Sequence, residues 1–136
     1  MKTLYLLRGL QGCGKSSLAR LLVASFSTPL FHYEFDDFFT SEDGIYKFDK
    51  SLIKEAHDSC YNRTEATLRG GHSVVVSNTF AEVWQLERYI KLAEACDAVS
   101  FVMLVEGDFG SDKQHPPSTL AHTKKIWQPY ATDWQA

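Results

Sequence analysis

The chain has 136 residues, of which 44% are hydrophobic and 23% are charged, and its formal net charge is −3. This length suits a single domain over residues 1–136, and the ordinary balance of apolar and charged residues excludes a disordered or collagen-like chain. The small acidic excess argues against tight non-specific binding to nucleic acid, although it is compatible with a local basic groove.

The sequence predicts neither a membrane segment nor a secretory leader. No apolar run approaches the roughly 18 residues that a transmembrane helix needs. The apolar stretch that follows Met1 and Lys2 is too short for the core of a signal peptide and lacks a small-residue cleavage site. We therefore expect a cytoplasmic protein without a membrane partner. Its three cysteines are widely spaced and form no CxxC pair, so neither a disulfide framework nor a zinc site is expected.

Strand and helix patterns alternate along the chain. Strands are predicted at short apolar or β-branched runs, namely Leu4–Leu7, Leu30–Phe35, Val74–Val76 and Val99–Val105. Helices are predicted where apolar residues recur at helical spacing, over Ser16–Phe26, Lys50–Arg69, Ala81–Ala95 and Leu120–Trp127. Loops are predicted over Asp36–Asp49 and Gly107–Pro117. The alternation indicates an α/β fold, a three-layer sandwich around a central, mainly parallel sheet of four to five strands.

The strongest motif in the sequence lies between the first predicted strand and the first predicted helix. The segment Gly9-Leu10-Gln11-Gly12-Cys13-Gly14-Lys15-Ser16 matches the Walker A pattern G-x-x-x-x-G-K-[ST] of P-loop NTPases. Its glycines let the backbone turn so that successive N–H groups point at a phosphate, and the following helix adds the positive end of its dipole. The predicted nucleotide-binding residues are Gln11, Gly12, Cys13, Gly14, Lys15, Ser16 and Ser17.

Two residues of this motif have specific chemical roles. Lys15 supplies a mobile positive charge for the β- and γ-phosphates, and Ser16 offers its hydroxyl to Mg²⁺. We therefore expect ATP and Mg²⁺ as cofactors. The side chain of Cys13 occupies a variable position of the motif and is interpreted as a spacer, with a redox-sensing role as the alternative.

A pair of carboxylates follows the second predicted strand. Asp36 and Asp37 lie in the segment Phe35-Asp36-Asp37-Phe38-Phe39, at a strand end that can face the phosphate loop. Transfer of a phosphoryl group to a hydroxyl needs a carboxylate that accepts the hydroxyl proton. Asp36 is therefore a candidate catalytic base beside Lys15, while a capping or solvated Asp pair is the structural alternative.

Together these segments resemble a known family. The Walker A loop, the Asp-Asp-aromatic element, Tyr46-x-Phe48-Asp49, Ala56-His57 and Val74-Val75-Val76-Ser77-Asn78-Thr79 look like the polynucleotide 5′-hydroxyl-kinase group of small P-loop proteins. Phage polynucleotide kinases and AAA-type single-domain relatives share this layout. The resemblance implies that the P-loop Lys and Ser are Lys15 and Ser16, and that the general base is Asp36.

The later motifs depart from the pattern of that family. Phe39 stands where the phage enzymes have an arginine, and Asn78 and Phe80 replace an acid and an asparagine. Relatives with an acid one position earlier have Ser77 here, and no arginine occurs between Glu106 and Gln114, where the lid arginines are expected. Lys113 offers only a point charge in their place.

The sequence therefore predicts a P-loop kinase that transfers the γ-phosphate of ATP to a hydroxyl, with a polynucleotide 5′ end or a nucleotide as the preferred acceptor. The missing arginines favour a second interpretation, a nucleotide-binding pseudokinase that acts through a protein partner. A small-molecule kinase is a third. Aromatic residues beside Asp36 fit either base stacking on single-stranded nucleic acid or packing of the loop against the sheet, namely Phe35, Phe38, Phe39, Tyr46 and Phe48.

Overall fold

The computed structural model describes residues 2–107 and 117–130. Within these ranges four strands are present, β1 (Thr3–Arg8), β2 (Leu30–Tyr33), β3 (Ser73–Asn78) and β4 (Val99–Leu104). Four α-helices accompany them, α1 (Lys15–Ser25), α2 (Ile53–Arg69), α3 (Val83–Ala95) and α4 (Pro117–Ile126). Two short 3₁₀ helices occur at Phe35–Phe39 and Lys50–Leu52. Every strand and helix that the sequence predicts is thus found within a few residues of its predicted bounds.

The strands form one parallel sheet in the order β2-β3-β1-β4. The strand β1 lies inside this sheet, where Leu6 pairs with Val76 on one side and Val102 on the other. The predicted α/β fold with a mainly parallel sheet of four to five strands is confirmed, with four strands, all of them parallel. Nearly continuous apolar runs such as Val74–Val76 are typical of strands that are covered on both faces.

Alternate residues of the central strands supply two separate cores. On one face Leu4, Leu6, Val74 and Val76 pack in the same cluster as residues of α2 and α3, which include Leu68 and Leu86. On the other face Leu7 and Val75 pack with Ala19 of α1. Helices therefore cover both faces of the sheet, as the three-layer architecture requires.

This arrangement places a crevice between β1 and β3. The chain leaves β1 toward α1 on one face and leaves the adjacent strand β3 toward α3 on the other face. The two connecting loops diverge at the carboxyl ends of the strands, which is where ligands bind in open α/β sheets. The backbone N–H of Gly9 donates to the Thr79 carbonyl across this edge at 3.4 Å.

The segment after β2 differs from its predicted form. The strand was predicted to run to Phe35 and to be followed by a loop, but β2 ends at Tyr33 and residues Phe35–Phe39 form a 3₁₀ helix. The Asp37 carboxylate accepts from the Glu34 N–H at 2.9 Å, and the Asn78 carbonyl oxygen accepts from the Phe35 N–H at 2.7 Å. Side chains are thus the partners of both N–H groups, and the backbone leaves its pairing with β3 after Tyr33.

Among the described residues no helix has the length and apolar character needed to cross a membrane. Of the predicted loop over Gly107–Pro117, residues 108–116 lie outside the described residues, and Lys113 is one of them. The three cysteines are all buried, with Cys60 in the core under α2.

Candidate functional site

The glycine-rich segment forms a tight connection between β1 and α1. Gly12 and Gly14 have φ angles of 81° and 95°, a backbone conformation that glycine adopts at no steric cost. Helix α1 begins at Lys15, directly after Gly14, and no side chain hydrogen bond of the described residues caps its first turn. The first amides of the helix are therefore available to an anion, and the helix dipole favours one there.

Contacts within the loop hold its predicted binding residues in place. The Lys15 Nζ donates to the Leu10 carbonyl at 3.4 Å, so the ammonium group lies over the loop. The Cys13 N–H donates to the same carbonyl at 3.1 Å, and the Cys13 side chain is buried beneath Gly9. The Gln11 amide nitrogen donates to Thr123 Oγ1 of α4 at 3.1 Å. The loop is thus connected to the last described helix, which forms one wall of the site.

A cleft of about 1620 Å³ opens at this edge of the sheet. Its lining includes Gly12, Gly14, Lys15 and Ser16 of the loop, and also Asp36. Single-ligand pockets usually measure about 300–1,000 Å³, so this cleft has room for two ligands side by side. The fold thereby brings the predicted base and all predicted nucleotide-binding residues except Cys13 to one cavity.

The two carboxylates of the Asp pair have different surroundings. Asp36 is half-buried in the lining of the cleft, and its Oδ1 accepts from the Tyr46 hydroxyl at 3.1 Å. Burial and the neighbouring Asp36 charge raise the pKa of Tyr46, which therefore stays protonated and donates. Asp37 instead accepts from the Glu34 N–H and from Arg63 Nη1, and burial raises the pKa of its carboxyl. Asp36 is thus the member of the pair that is placed to act on a ligand.

A buried carboxylate that the sequence analysis did not single out lies beside the phosphate loop. Glu34 is 8% exposed, and its Oε2 accepts from Ser16 Oγ at 2.7 Å and from Ser77 Oγ at 2.9 Å. His32 Nε2 lies 2.6 Å from Ser77 Oγ and 3.5 Å from the same Glu34 oxygen. The sequence does show an acid two positions before Asp36. Its contact with Ser16 could not be predicted, because that contact depends on the order of strands in the sheet.

Asn78 has a structural role at the site. The family resemblance places an acid at this position. Asn78 is instead 6% exposed, and its amide accepts from the Phe35 N–H and donates to Cys60 Sγ at 3.7 Å. Asn78 therefore holds the start of the 3₁₀ helix that carries Asp36.

The wall of the cleft opposite the loop combines positive charge with aromatic surface. Lys50, Lys54 and Arg88 line this wall, and the Asp58 carboxylate pairs with both Lys54 and Arg88. Trp84 is 58% exposed beside them. Arg20 of α1 also lines the cleft and donates to Ser17 Oγ at 3.3 Å. The sequence analysis had assigned no role to Trp84 or to these arginines, because the residues of the wall come together only in the fold.

The aromatic residues after β2 mainly pack against one another. Phe39 is 7% exposed, and its ring contacts those of Phe35, Phe38 and Phe48 at centroid distances of 5.1–5.4 Å. Phe48 is 48% exposed and lines the cleft, so this ring has both a packing face and a ligand-facing surface. Phe39 occupies the core where the family resemblance places an arginine.

Arg8 directly precedes the phosphate loop and lies in the interior of the protein. It is fully buried, and its Nη2 donates to the carbonyls of Phe80 at 2.7 Å and Gln128 at 2.8 Å. The guanidinium also lies over the ring of Trp127, 4.0 Å from its centroid. Arg8 thus ties the end of β3 to the segment after α4.

Comparisons with known proteins agree with this architecture. A family model described as an AAA domain matches residues 4–108. NEDD4-binding protein 2 of Homo sapiens is 36% identical over 92 residues, which are 67% of this chain and 5% of that protein. The chain therefore spans only a small part of the length of this curated relative.

Two solved structures illustrate the shared fold. Kti12 of Chaetomium thermophilum, in complex with ADP-AlF3, has a TM-score of 0.73 at 14% identity, with 93% of this chain and 80% of that chain covered. The APS kinase CysC of Mycobacterium tuberculosis, as a Cys556Ala mutant, has a TM-score of 0.59 at 18% identity, with 92% and 93% covered. The fold is thus that of P-loop, kinase-like nucleotide-binding domains.

Proposed function

This chain belongs to the AAA domain family, and from that premise we propose that it is an ATP-dependent kinase that transfers the γ-phosphate of ATP to a hydroxyl group. The observation that supports this most directly is the placement of Asp36 and the phosphate loop in the lining of one cleft. A nucleotide-binding protein without transfer activity needs the loop alone. A kinase needs in addition a carboxylate that faces the site of the γ-phosphate.

In this proposal the residues of the loop hold the triphosphate. Backbone N–H groups of the segment Gln11 to Ser17 surround the β-phosphate, and Lys15 exchanges its contact with the Leu10 carbonyl for the β- and γ-phosphates. The Ser16 hydroxyl fits Mg²⁺, which takes oxygen ligands and is usually completed by phosphates and water. When bound, Mg²⁺ neutralises the charge of the phosphates.

Asp36 acts on the acceptor. The acceptor hydroxyl oxygen forms a bond to the γ-phosphorus while the bond from that phosphorus to the β–γ bridging oxygen breaks. The bridging oxygen keeps the electron pair and leaves as part of ADP, and the Asp36 carboxylate takes the proton of the hydroxyl. The hydrogen bond from Tyr46 orients the carboxylate for this step.

The preferred acceptor is a polynucleotide 5′-hydroxyl or a nucleotide. The wall of the cleft opposite the loop offers Lys50, Lys54 and Arg88 for phosphates. The exposed rings of Phe48 and Trp84 offer surfaces on which bases can stack. A sugar or another small molecule without phosphates uses neither feature, so a small-molecule kinase is less well supported.

The proposal is tested by incubating the protein with Mg²⁺ and γ-labelled ATP in the presence of 5′-hydroxyl oligonucleotides, nucleotides, nucleosides and sugars. We expect label on the oligonucleotide or nucleotide, and Asp36→Asn is expected to lower the rate about 10²-fold or more. Asp37→Asn is the matched control, because Asp37 contacts Arg63 and the Glu34 backbone. Equal rates in the two variants would contradict the role of Asp36.

A second candidate function is a nucleotide-binding pseudokinase that acts through a protein partner. It is favoured by Asn78, which this chain uses as a structural amide where relatives have an acid. ATP binding without transfer to any of these acceptors would support it against the kinase.

A further inference from the structure

The end of β3 has a hydroxyl where a carboxylate would be expected to face the phosphate loop. Ser77 occupies this position. Tyr33 of β2 pairs with Val76 of β3, and Ser77 is the next residue of β3. The residue after Tyr33 is Glu34, whose carboxylate accepts from Ser77 Oγ at 2.9 Å. A carboxylate therefore reaches the loop from the neighbouring strand β2 and fills the space next to Ser77.

The hydrogen bonds around this carboxylate fix its orientation. Ser77 and Ser16 both donate to Glu34 Oε2, which requires an oxygen that accepts twice. Since Ser77 gives its only proton to Glu34, its contact of 2.6 Å with His32 is a bond in which His32 Nε2–H donates. The row His32, Ser77, Glu34, Ser16 is thus a directed chain that ends at the phosphate loop.

We infer that Glu34 is the protein carboxylate that holds Mg²⁺ next to Ser16, and that Ser77 and His32 position it. This inference rests on the proposed nucleotide site, because the phosphates of the nucleotide would supply further ligands. No group of three metal-binding His, Cys, Asp or Glu side chains occurs among the described residues. That finding agrees with Mg²⁺, which typically binds through one or two protein oxygens, phosphates and water.

The distance between the two oxygens fits the size of this ion. Ser16 Oγ and Glu34 Oε2 are 2.7 Å apart. Adjacent ligands of an octahedral Mg²⁺ with bonds of 2.0–2.1 Å are about 2.9 Å apart. The two oxygens can therefore become neighbouring ligands of one ion with little movement, as the Ser16 hydroxyl turns its proton away.

The charge of Glu34 gives the inference a distinctive consequence. A buried carboxylate beside the loop repels a metal-free triphosphate and attracts Mg²⁺. Removal of this charge is therefore expected to strengthen the binding of metal-free ATP. It should also abolish the increase in ATP affinity that Mg²⁺ causes. A purely structural role for Glu34 predicts instead that both affinities fall together.

The experiment measures ATP binding by calorimetry with Mg²⁺ and again with EDTA, in the wild type and in Glu34→Gln. In the wild type we expect Mg²⁺ to raise the affinity about tenfold or more, and in Glu34→Gln this gain should disappear while the metal-free affinity stays equal or increases. Asp58→Asn removes a carboxylate from the same cleft away from the loop, and it should keep the gain. Mn²⁺ binding to the ATP complex, followed by electron paramagnetic resonance, provides a readout independent of activity.

A relocated carboxylate makes the test more specific. The double variant Glu34→Gln/Ser77→Asp places the carboxylate on β3 instead of after β2. We expect it to restore most of the increase in ATP affinity that Mg²⁺ gives. Ser77→Ala alone should weaken Mn²⁺ binding about tenfold, since it removes the hydroxyl that positions Glu34. An undiminished Mg²⁺ gain in Glu34→Gln, or loss of affinity to the same extent with and without metal, would overturn the inference but leave the nucleotide site intact. Absence of ATP binding in the wild type would overturn the proposed function, and the inference with it.

Discussion

The ammonium group of Lys15 is the positive charge on which nucleotide binding should depend most. It now lies against the Leu10 carbonyl at 3.4 Å and is expected to exchange this contact for phosphate oxygens. A hydrogen bond to a charged group contributes about 1.5–3 kcal/mol, so Lys15→Ala should lower ATP affinity about tenfold or more. Calorimetry measures the change, and Lys47→Ala, an exposed lysine after the 3₁₀ helix Phe35–Phe39, is the control. An unchanged affinity in Lys15→Ala would show that the phosphates bind elsewhere.

A second expectation at the scale of one residue concerns His57 and pH. The ring of His57 packs on Phe35 at a centroid distance of 4.5 Å, and burial, followed by the charge of Arg88, lowers its pKa below the ordinary value of 6.5. Below pH 6.5 the unfolded chain therefore binds a proton at His57 that the folded protein does not bind. The free energy of unfolding should fall as the pH decreases from 6.5 toward the folded pKa, with a slope from this group of at most about 1.4 kcal/mol per pH unit.

Urea unfolding at a series of pH values between 7.5 and 5.5 measures this slope. His57→Asn should show a smaller loss of stability on acidification than the wild type. Equal slopes in the His57 variant and the wild type would mean that the folded protein accepts the proton at no cost.

Single residues differ in how well the sequence reveals their role. Lys15 and Ser16 could be predicted because all parts of the phosphate loop are contiguous, so a local pattern defines the local geometry. Glu34 could not, because its contact with Ser16 depends on the lateral order of strands. Arg8 shows the same limit, since its acceptors Phe80 and Gln128 lie 72 and 120 residues away along the chain.

At the scale of elements, the connection between β1 and α1 depends on one close approach. A Cβ atom at Gly9 would clash with Cys13 Sγ and would lie 2.6 Å from the Val105 carbonyl oxygen. The carbonyl belongs to the backbone after β4, so it cannot rotate away as a side chain can. Gly9→Ala should therefore destabilise the fold by about 1–3 kcal/mol and also weaken ATP binding, because the loop must shift.

Thermal and urea unfolding measure the first effect, and calorimetry with ATP measures the second. Gly70→Ala is the matched control, since a Cβ there would have ordinary contacts of 3.4 Å or more at the end of α2. It should leave stability within about 0.5 kcal/mol of the wild type. If Gly9→Ala behaved like Gly70→Ala, the packing of the loop against the chain after β4 would not matter.

The elements themselves could largely be predicted, because apolar periodicity and glycine boundaries are local signals. The exception is the 3₁₀ helix over Phe35–Phe39, which the sequence analysis assigned to a loop. Its formation depends on Asn78, which accepts from the Phe35 N–H across a separation of 43 residues. Polar and aromatic composition alone does not distinguish such a turn from an irregular loop.

At the scale of the whole molecule, the net charge does not describe the site. The chain carries a formal charge of −3, yet the described residues that line the cleft include five positive and three negative side chains. The positive ones are Lys15, Arg20, Lys50, Lys54 and Arg88, and the negative ones are Glu34, Asp36 and Asp58. The positive side chains come from α1, from the 3₁₀ helix Lys50–Leu52, from α2 and from α3, so only the folded chain brings them together.

This charge distribution predicts how an oligonucleotide should bind under the proposed function. Lys54 and Arg88 share the single carboxylate of Asp58, which leaves an excess positive charge on the wall across from the loop. If two to three phosphates of a single strand bind here, the logarithm of its association constant should fall with the logarithm of salt concentration with a slope of about −1.4 to −2. Fluorescence anisotropy with a 5′-hydroxyl oligonucleotide measures the slope. The double variant Lys54→Ala/Arg88→Ala should reduce its magnitude by about 1.4, whereas Lys91→Ala, an exposed lysine later in α3, should not change it. If the double variant left the slope unchanged, the strand would bind on another surface. A wild-type slope near zero would exclude phosphate contacts in the cleft. The acceptor would then have to be a molecule without a phosphate chain.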